Sequence, residues 1–426
     1  MRKEKNYQEK FADIKVQSFF TLMDKDDRDF VEKLAPQFRL TFQEVRQLAE
    51  ACRDVRMWRE QPLPDWWRMD IAHKKSIPAN KNSFLSAFRQ HLNQLKSALK
   101  SYKNMPKPVF HQKAKILSTN TDRIVFGECP VQSPKTVCCN LKTLDAVEGC
   151  IFGCSYCTIQ TFYNEQIRVE ANLEDKLKKI ILDPKKIYHI GTGQSSDSLA
   201  FGNRNGILDA LCAFAASHSA NVLLEFKTKS DNVHYILEND IPKNVVCSWS
   251  LNPQIIIDYE EHFTASLDNR IKAARSVADK GVKVSFHFHP IIYYDTWYED
   301  YTSIARRIMD EFDPREILFI SFGSLTFIKP ALQKIRQLGF PTKIHQMEFV
   351  KDPHGKLTYP DDIKIRKFSA MYTTFQPWHD RVFFYLCMEK SSIWENSLGY
   401  VYPDNSLLEK ALFDSAQKKI REDSGR

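Results

Sequence analysis

The chain has 426 residues, 43% of them hydrophobic and 27% charged, with 13 Gly and 19 Pro. That length predicts two or three domains, or one large barrel with additions, and the composition excludes collagen-like and wholly disordered chains. The formal net charge is +8, and the ten cysteines are too few for a disulfide scaffold, so their spacing is read for metal or catalytic work.

No run approaches the roughly 20 apolar residues of a membrane helix. The start, Met1-Arg2-Lys3-Glu4-Lys5, has no apolar signal core, so a cytoplasmic protein without a membrane partner is expected. The charge is unevenly spread. From Ile71 to Thr121 there is no acidic residue, while Lys74, Lys75, Lys81, Arg89, Lys96, Lys100, Lys103, Lys107, Lys113 and Lys115 are all basic, leaving the rest of the chain nearly neutral. A local block of this kind points to a polyanionic partner such as nucleic acid; a solvated helix face is the other reading.

In chain order, the first hundred residues read as helical. Thr41-Phe42-Gln43-Glu44 has capping-box spacing and opens the apolar series Val45, Leu48, Ala49, Cys52, Val55. A further helix is predicted from about Asn82 to Tyr102, with Phe84, Leu85, Phe88, Leu92, Leu95 and Leu99 on one face. Arg89, Lys96, Lys100 and Lys103 then lie together on its flank as a candidate nucleic-acid ridge.

After Pro106–Pro108 the pattern changes. Strands are predicted near Leu144–Val147, Lys186–Ile190, Asn221–Phe226, Asn244–Ser250, Val282–Ile292 and Glu316–Ser321. Helices fall between them near Leu173–Leu182, Gly206–Ser217, Asn232–Glu238, Leu267–Lys280, Tyr298–Phe312 and Ala331–Leu338. Such alternation implies a parallel sheet with right-handed crossovers, open or curved into a partial barrel. The expected division is a basic helical region over 1–120, an α/β region over 121–340 and a mixed closing region over 341–426.

The most informative stretch is Gly149-Cys150-Ile151-Phe152-Gly153-Cys154-Ser155-Tyr156-Cys157, after the first of these strands. Three thiolates at this spacing on one loop can hold three corners of an iron–sulfur cubane, leaving one iron open for a small molecule. A zinc site and three buried apolar cysteines are the competing readings. Zinc usually takes four ligands as two separated pairs, and Cys129 and Cys138-Cys139 lack that spacing. At the predicted strand ends, Gly193-Gln194-Ser195-Ser196-Asp197, Lys227-Thr228-Lys229-Ser230 and Ser248-Trp249-Ser250-Leu251-Asn252 supply small and polar groups where barrel chemistry sits.

This cysteine spacing after the first strand of a six-fold β/α pattern resembles the radical S-adenosylmethionine (SAM) superfamily. The resemblance implies a partial (β/α)6 barrel, a [4Fe-4S] cluster on Cys150, Cys154 and Cys157, and reductive cleavage of SAM to a 5′-deoxyadenosyl radical that takes hydrogen from a substrate. Within that superfamily, Cys154 to Thr161, Ile167-Arg168-Val169, Asn172-Leu173-Glu174, Ser196-Asp197, Thr228-Lys229, Ser250-Leu251-Asn252 and the run from Thr264 to Arg275 look like spore photoproduct lyase, over about Leu144 to Pro330. The resemblance implies repair of a methylene-bridged thymine dimer in ultraviolet-damaged DNA, SAM contacts from Ser196, Lys229 and Ser250, and an electron donor such as flavodoxin or ferredoxin; Ser195 and Asp197, at the same strand end, are further candidate SAM contacts.

Two positions depart from the family. Its hydrogen-donating cysteine precedes the Ser-Asp pair after the second strand, where this chain has Gln194; its relay tyrosine after the third cluster cysteine is Thr158 here, although Tyr156 remains. Gln has no weak bond to hydrogen, and Thr cannot relay a radical as a phenol can. Cys387 or Tyr163 is the replacement donor to examine, simple core being the other reading of each. Two further functions stay open: a radical SAM enzyme for a tRNA base, peptide or metabolite, and a non-catalytic iron–sulfur protein that binds nucleic acid.

Overall fold

The computed structural model describes residues 6–17, 19–74, 80–103, 105–108, 114–129, 135–158 and 166–424. They form two compact units, one of residues 1–109 with 328–348, the other of 110–327 with 349–426.

The larger unit is built on an eight-stranded sheet, with two three-stranded sheets beside it among the described residues. Seven strands run parallel in sequence order: β1 (Lys142–Leu144), β2 (Tyr188–Thr192), β3 (Val222–Thr228), β4 (Val245–Ser250), β5 (Lys283–Ile291), β6 (Ile317–Ser324) and β7 (Phe383–Leu386). The strand Phe126–Glu128 adds to β1 antiparallel, and the sheet curls into a half-barrel without closing. The six expected parallel strands are present, the first shifted back to Lys142–Leu144, with the five helices expected between them, so the α/β partial-barrel expectation holds; the sixth expected helix, Lys329–Leu338, belongs to the smaller unit.

Residue choice explains the layering. In β3 nearly every residue is buried, as expected of a parallel strand covered on both faces. In β5 the alternation is chemical: Phe286 packs on Phe312, which follows the covering helix Trp297–Glu311, while Ser285, His287 and His289 lie on the opposite face. The helix Leu267–Asp279 begins at Ser266, whose side chain accepts from the Asn269 amide, and Gly281 follows it at φ +86°.

The region after residue 348 contributes to the sheet itself. Phe319 to Phe322 of β6 pair in parallel with Phe383 to Leu386, so this region supplies the seventh strand. Four residues among aromatic-rich sequence are too short a run for periodicity to single out.

The smaller unit holds helices Tyr7–Gln17, Lys25–Gln37, Phe42–Met57, Leu63–Lys74, Lys81–Ser97 and Lys329–Leu338 around Val31, Leu34, Val45, Leu48, Val55, Trp58 and Phe84. The expected capping box forms: Glu44 N donates to Thr41 Oγ1 at 3.4 Å and Thr41 N to Glu44 Oε2 at 2.7 Å. Residues 328–348 join this unit through Asp54, which is buried. Arg336 donates to both of its oxygens at 2.7 Å and His345 Nε2 lies 3.1 Å from Oδ1.

The basic ridge is corrected here. The helix ends at Ser97, with Ala98 extended, so Lys100 and Lys103 lie beyond it. Lys100 is buried, its ammonium 3.5 Å from the carbonyls of Lys343 and Ile344. Lys96 is half-buried, and desolvation lowers its pKa. Arg89 and Lys103 are exposed. Among the described residues no helix is long and apolar enough to cross a membrane.

Candidate active site

The cysteine loop leaves β1 and is fastened at three places. Gly149, at φ +84°, donates to the Ser195 carbonyl at 3.1 Å and accepts from Ser196 Oγ at 2.7 Å. Gly153 N donates to the His262 carbonyl at 3.0 Å, and Ser155 N to the Glu260 carbonyl at 2.8 Å. Cys154 is buried, Cys150 and Cys157 half-buried, and all three are free of disulfides.

The loop after β2 braces the site. Ser195 Oγ lies 2.8 Å from Asp145 Oδ1 and 2.7 Å from the Val147 carbonyl. The buried Asp197 carboxylate accepts from Thr228 Oγ1 at 2.8 Å and from the amides of Lys229, Ala200 and Leu199 at 2.7, 2.9 and 3.1 Å. Ser195, Ser196 and Asp197 therefore have protein partners, and they lock the ends of β2 and β3 to the cysteine loop. Lys229 and Ser250 differ. No described residue accepts from the Lys229 ammonium, which lies 5.9 Å from the Tyr156 ring centroid. Burial opposes its charge, but Glu261 and Cys154 together raise its pKa.

Tyr156 belongs to a buried network that spacing alone did not reveal. Its hydroxyl donates to Glu261 Oε1, which also accepts from Asn252 Nδ2 at 2.6 Å. Arg270 donates to Glu261 Oε2 at 2.5 Å, to the Ser250 carbonyl at 2.8 Å and to the Ala265 carbonyl at 2.9 Å. Tyr301 OH donates to Asn252 Oδ1 at 2.6 Å. Burial works against the Glu261 charge, yet Arg270 and Lys229 hold its pKa down to about 2. Arg270 stands between Leu267 and Ile271 on the buried face of its helix, and an arginine in an apolar stripe was the available signal.

The donor set fits a cubane. Three free thiols share one loop, and each acts electrostatically on another: Cys157 on Cys150, and both on Cys154. Burial pushes the Cys150 and Cys154 thiols well up, so a bound cation must supply what keeps them ionised. Among the described residues no three His, Cys, Asp or Glu side chains converge on one metal ion. Cubane cysteines each hold a different iron and stand wider apart than the ligands of a single ion.

Cys387 follows β7, at the sheet end that also carries Lys229 and Ser250, and its amide donates to the Phe322 carbonyl at 2.9 Å. Burial, followed by the charges of Cys139 and Cys129, pushes its thiol up, so it stays S–H at neutral pH. Tyr163 lies outside the described residues. A second buried set escaped sequence reasoning: His189, Glu225, Ser248, His287 and Ser321, joined across β2 to β6. Its signal was two histidines at strand spacing in Phe286-His287-Phe288-His289.

A sequence profile of the family described as spore photoproduct lyase matches residues 142–360. The spore photoproduct lyase of Clostridium acetobutylicum is 24% identical over 230 residues, covering 51% of this chain and 68% of that protein. The one from a Geobacillus species is 28% identical over 204 residues, covering 46% and 60%. Among solved structures, a spore photoproduct lyase variant with bound AdoMet and dinucleoside spore photoproduct superposes with a TM-score of 0.53 at 22% identity, covering 64% of this chain and 82% of that one. Another variant of that enzyme gives 0.55 at 21% identity over the same shares. With half the chain matched by the profile and the half-barrel shared, the protein belongs to the spore photoproduct lyase family of radical SAM enzymes.

Proposed function

We propose that this chain is a SAM-cleaving repair enzyme for ultraviolet-damaged thymine pairs in DNA. The observation that carries the reading is the fastening of a three-thiol loop to the β2 and β3 ends that present Lys229. A [4Fe-4S] cluster with SAM supplies, when bound, the adenosyl-radical chemistry of the family. Cys150, Cys154 and Cys157 hold the cluster. The Lys229 ammonium, which donates to no acceptor among the described residues, and the Ser250 hydroxyl suit the carboxylate and hydroxyl groups of SAM. Ser195, Ser196 and Asp197 act by shaping the backbone around it.

The return of hydrogen falls to Cys387, at the same sheet end as the cluster loop and protonated because it is buried. Tyr156, whose hydroxyl is committed to Glu261, holds the loop rather than carrying a radical. Electrons come from a flavodoxin- or ferredoxin-like donor. Arg89 and Lys103 contribute the exposed cations that contact DNA phosphates, an interaction that weakens steeply with salt.

The test is anaerobic reconstitution with iron and sulfide, reduction, and incubation with SAM and a dinucleoside spore photoproduct deuterated at its bridge. Thymine product with deuterium in 5′-deoxyadenosine supports the proposal. Cleavage of SAM without any change to the lesion favours a different substrate, a tRNA base, peptide or metabolite, the reading that Gln194 and Thr158 recommend. A reduced cluster that leaves SAM intact favours a non-catalytic iron–sulfur protein. Unchanged duplex-DNA affinity at moderate salt in an Arg89→Glu, Lys103→Glu double variant removes those residues from the DNA contact.

A further inference from the structure

The buried set inside the half-barrel has a direction. Glu225 is fully buried on β3; burial opposes its charge, but Lys227, whose ammonium is 3.6 Å away, and the hydrogen bonds from His189 and His287 hold it ionised. An ionised carboxylate only accepts hydrogen bonds. His189 Nε2 at 2.9 Å, His287 Nε2 at 2.5 Å and Ser248 Oγ at 2.6 Å must therefore all donate to it.

The next bonds follow from this. Burial keeps His287 neutral, so with a proton on Nε2 its Nδ1 is a bare acceptor. Ser321 Oγ, 2.5 Å from Nδ1, must donate there, which uses its one proton. Ser321 can then only accept from its other histidine, and His289 Nε2 at 2.9 Å must be the N–H donor. His289 is thus set as the Nε2–H tautomer, with Nδ1 carrying a free lone pair.

The ring is held flat as well as polarised. A β-carbon at Gly323 would lie 2.9 Å from His289 Cδ2 and 3.0 Å from Cγ, so only glycine lets the imidazole rest against β6. No described residue bonds Nδ1, and His289 is only partly buried, near the sheet end where Lys227 and Lys229 act on its ring. A chain of Glu225, His287 and Ser321 that ends on an open acceptor is costly to bury and has no packing purpose at that end.

We propose that His289 Nδ1 is a substrate-binding acceptor that receives an N–H of the bound substrate, and that in the damaged thymine pair this is a ring imide N–H. The thymine assignment rests on the function proposed above; the acceptor itself rests only on the hydrogen-bond chain. An imide presents N–H between two carbonyls, which matches a bare ring nitrogen on a ring that the charge of Lys227 acts on. Glu225, His287 and Ser321 are positioning residues.

The experiment uses the full, cluster-loaded chain. Nitrogen-15 spectra of histidine-labelled protein should show His289 as the Nε2–H tautomer, and Ser321→Ala should release it to a mixture. Affinity for the dinucleoside spore photoproduct should fall roughly ten-fold in His289→Ala, the effect of losing one good hydrogen bond. His289→Asn, which retains an acceptor near Nδ1, should recover most of that loss. A lesion methylated on the imide nitrogens should bind wild type as weakly as the unmodified lesion binds His289→Ala, and should lose nothing more in that variant. An Nδ1–H tautomer in wild type, or lesion affinity unchanged in His289→Ala, overturns the proposal. Wild-type enzyme that does not bind the lesion overturns the thymine assignment and the repair function together, while the tautomer spectrum still decides the acceptor.

Discussion

Arg270 and Glu261 meet at 2.5 Å with both side chains fully buried. The pair sits behind the cysteine loop, since Glu261 also takes the Tyr156 hydroxyl and Arg270 holds the Ser250 carbonyl. Removing one partner leaves a buried charge with nothing to balance it. Arg270→Met should therefore cost about 3–5 kcal/mol of stability and lower the iron bound per chain. Arg270→Lys should recover part of the stability, because it restores charge without the planar fork. Thermal unfolding and iron analysis check both.

Cys154→Ala removes a thiol without disturbing the backbone bonds of Gly153 and Ser155 that fasten the loop. The expected result is an unchanged far-ultraviolet circular dichroism spectrum, loss of the cluster's visible absorption, and no 5′-deoxyadenosine from SAM under reducing conditions.

Cys387→Ala should separate two half-reactions. SAM cleavage and the first hydrogen transfer should persist, while clean thymine product falls at least ten-fold and products of an unquenched thymine radical accumulate. Product chromatography decides the point: wild-type yields in Cys387→Ala remove that residue from the return step.

Gly193 has φ +77°, and a β-carbon there would lie 2.7 Å from Ser198 Oγ and 3.0 Å from Ser198 N. Gly193→Ala combines left-handed strain with a backbone clash, so a loss of about 1–3 kcal/mol is expected, read as a lowered denaturant midpoint. SAM affinity should fall with it, because the same turn positions Asp197 and the β3 end.

Asp54 predicts an acid transition in the smaller unit. Burial opposes its charge, but Arg336 and then His345 hold its pKa well below the ordinary 3.8. A carboxylate with a depressed folded pKa contributes stability that is complete above its unfolded value and is lost as pH falls below it. The helical signal should weaken as pH drops below about 4. Asp54→Asn should remove that dependence while lowering stability at pH 7, as measured by circular dichroism against pH.

The parallel sheet was legible because short apolar runs, Val222-Leu223-Leu224, Val245-Val246-Cys247 and Ile317-Leu318-Phe319-Ile320 among them, recur between helical segments. The cysteine loop was legible because its chemistry depends on spacing along the chain. The Glu225 chain was not: its residues come from separate strands, and only the register of the sheet brings His189, Glu225, His287 and Ser321 together. The helix end at Ser97 escaped for a related reason. Leu99, Lys100 and Lys103 continue the helical pattern, yet burial of the Lys100 ammonium against distant carbonyls outweighs local periodicity. Cys387 was legible as a candidate, but its position at the active end follows from β7, a strand too short to read.

Asp54 and Arg336 also set an order in time. They are 282 positions apart in the chain, so at a synthesis rate of roughly 5–20 residues per second the carboxylate waits roughly 15–60 s for its cation. During that interval the early helices carry a charge they cannot favourably bury, and most of the half-barrel's strands are made before the helical unit can settle. The nascent chain therefore offers a loosely packed amino-terminal segment to chaperones and proteases until residues 328–348 leave the ribosome.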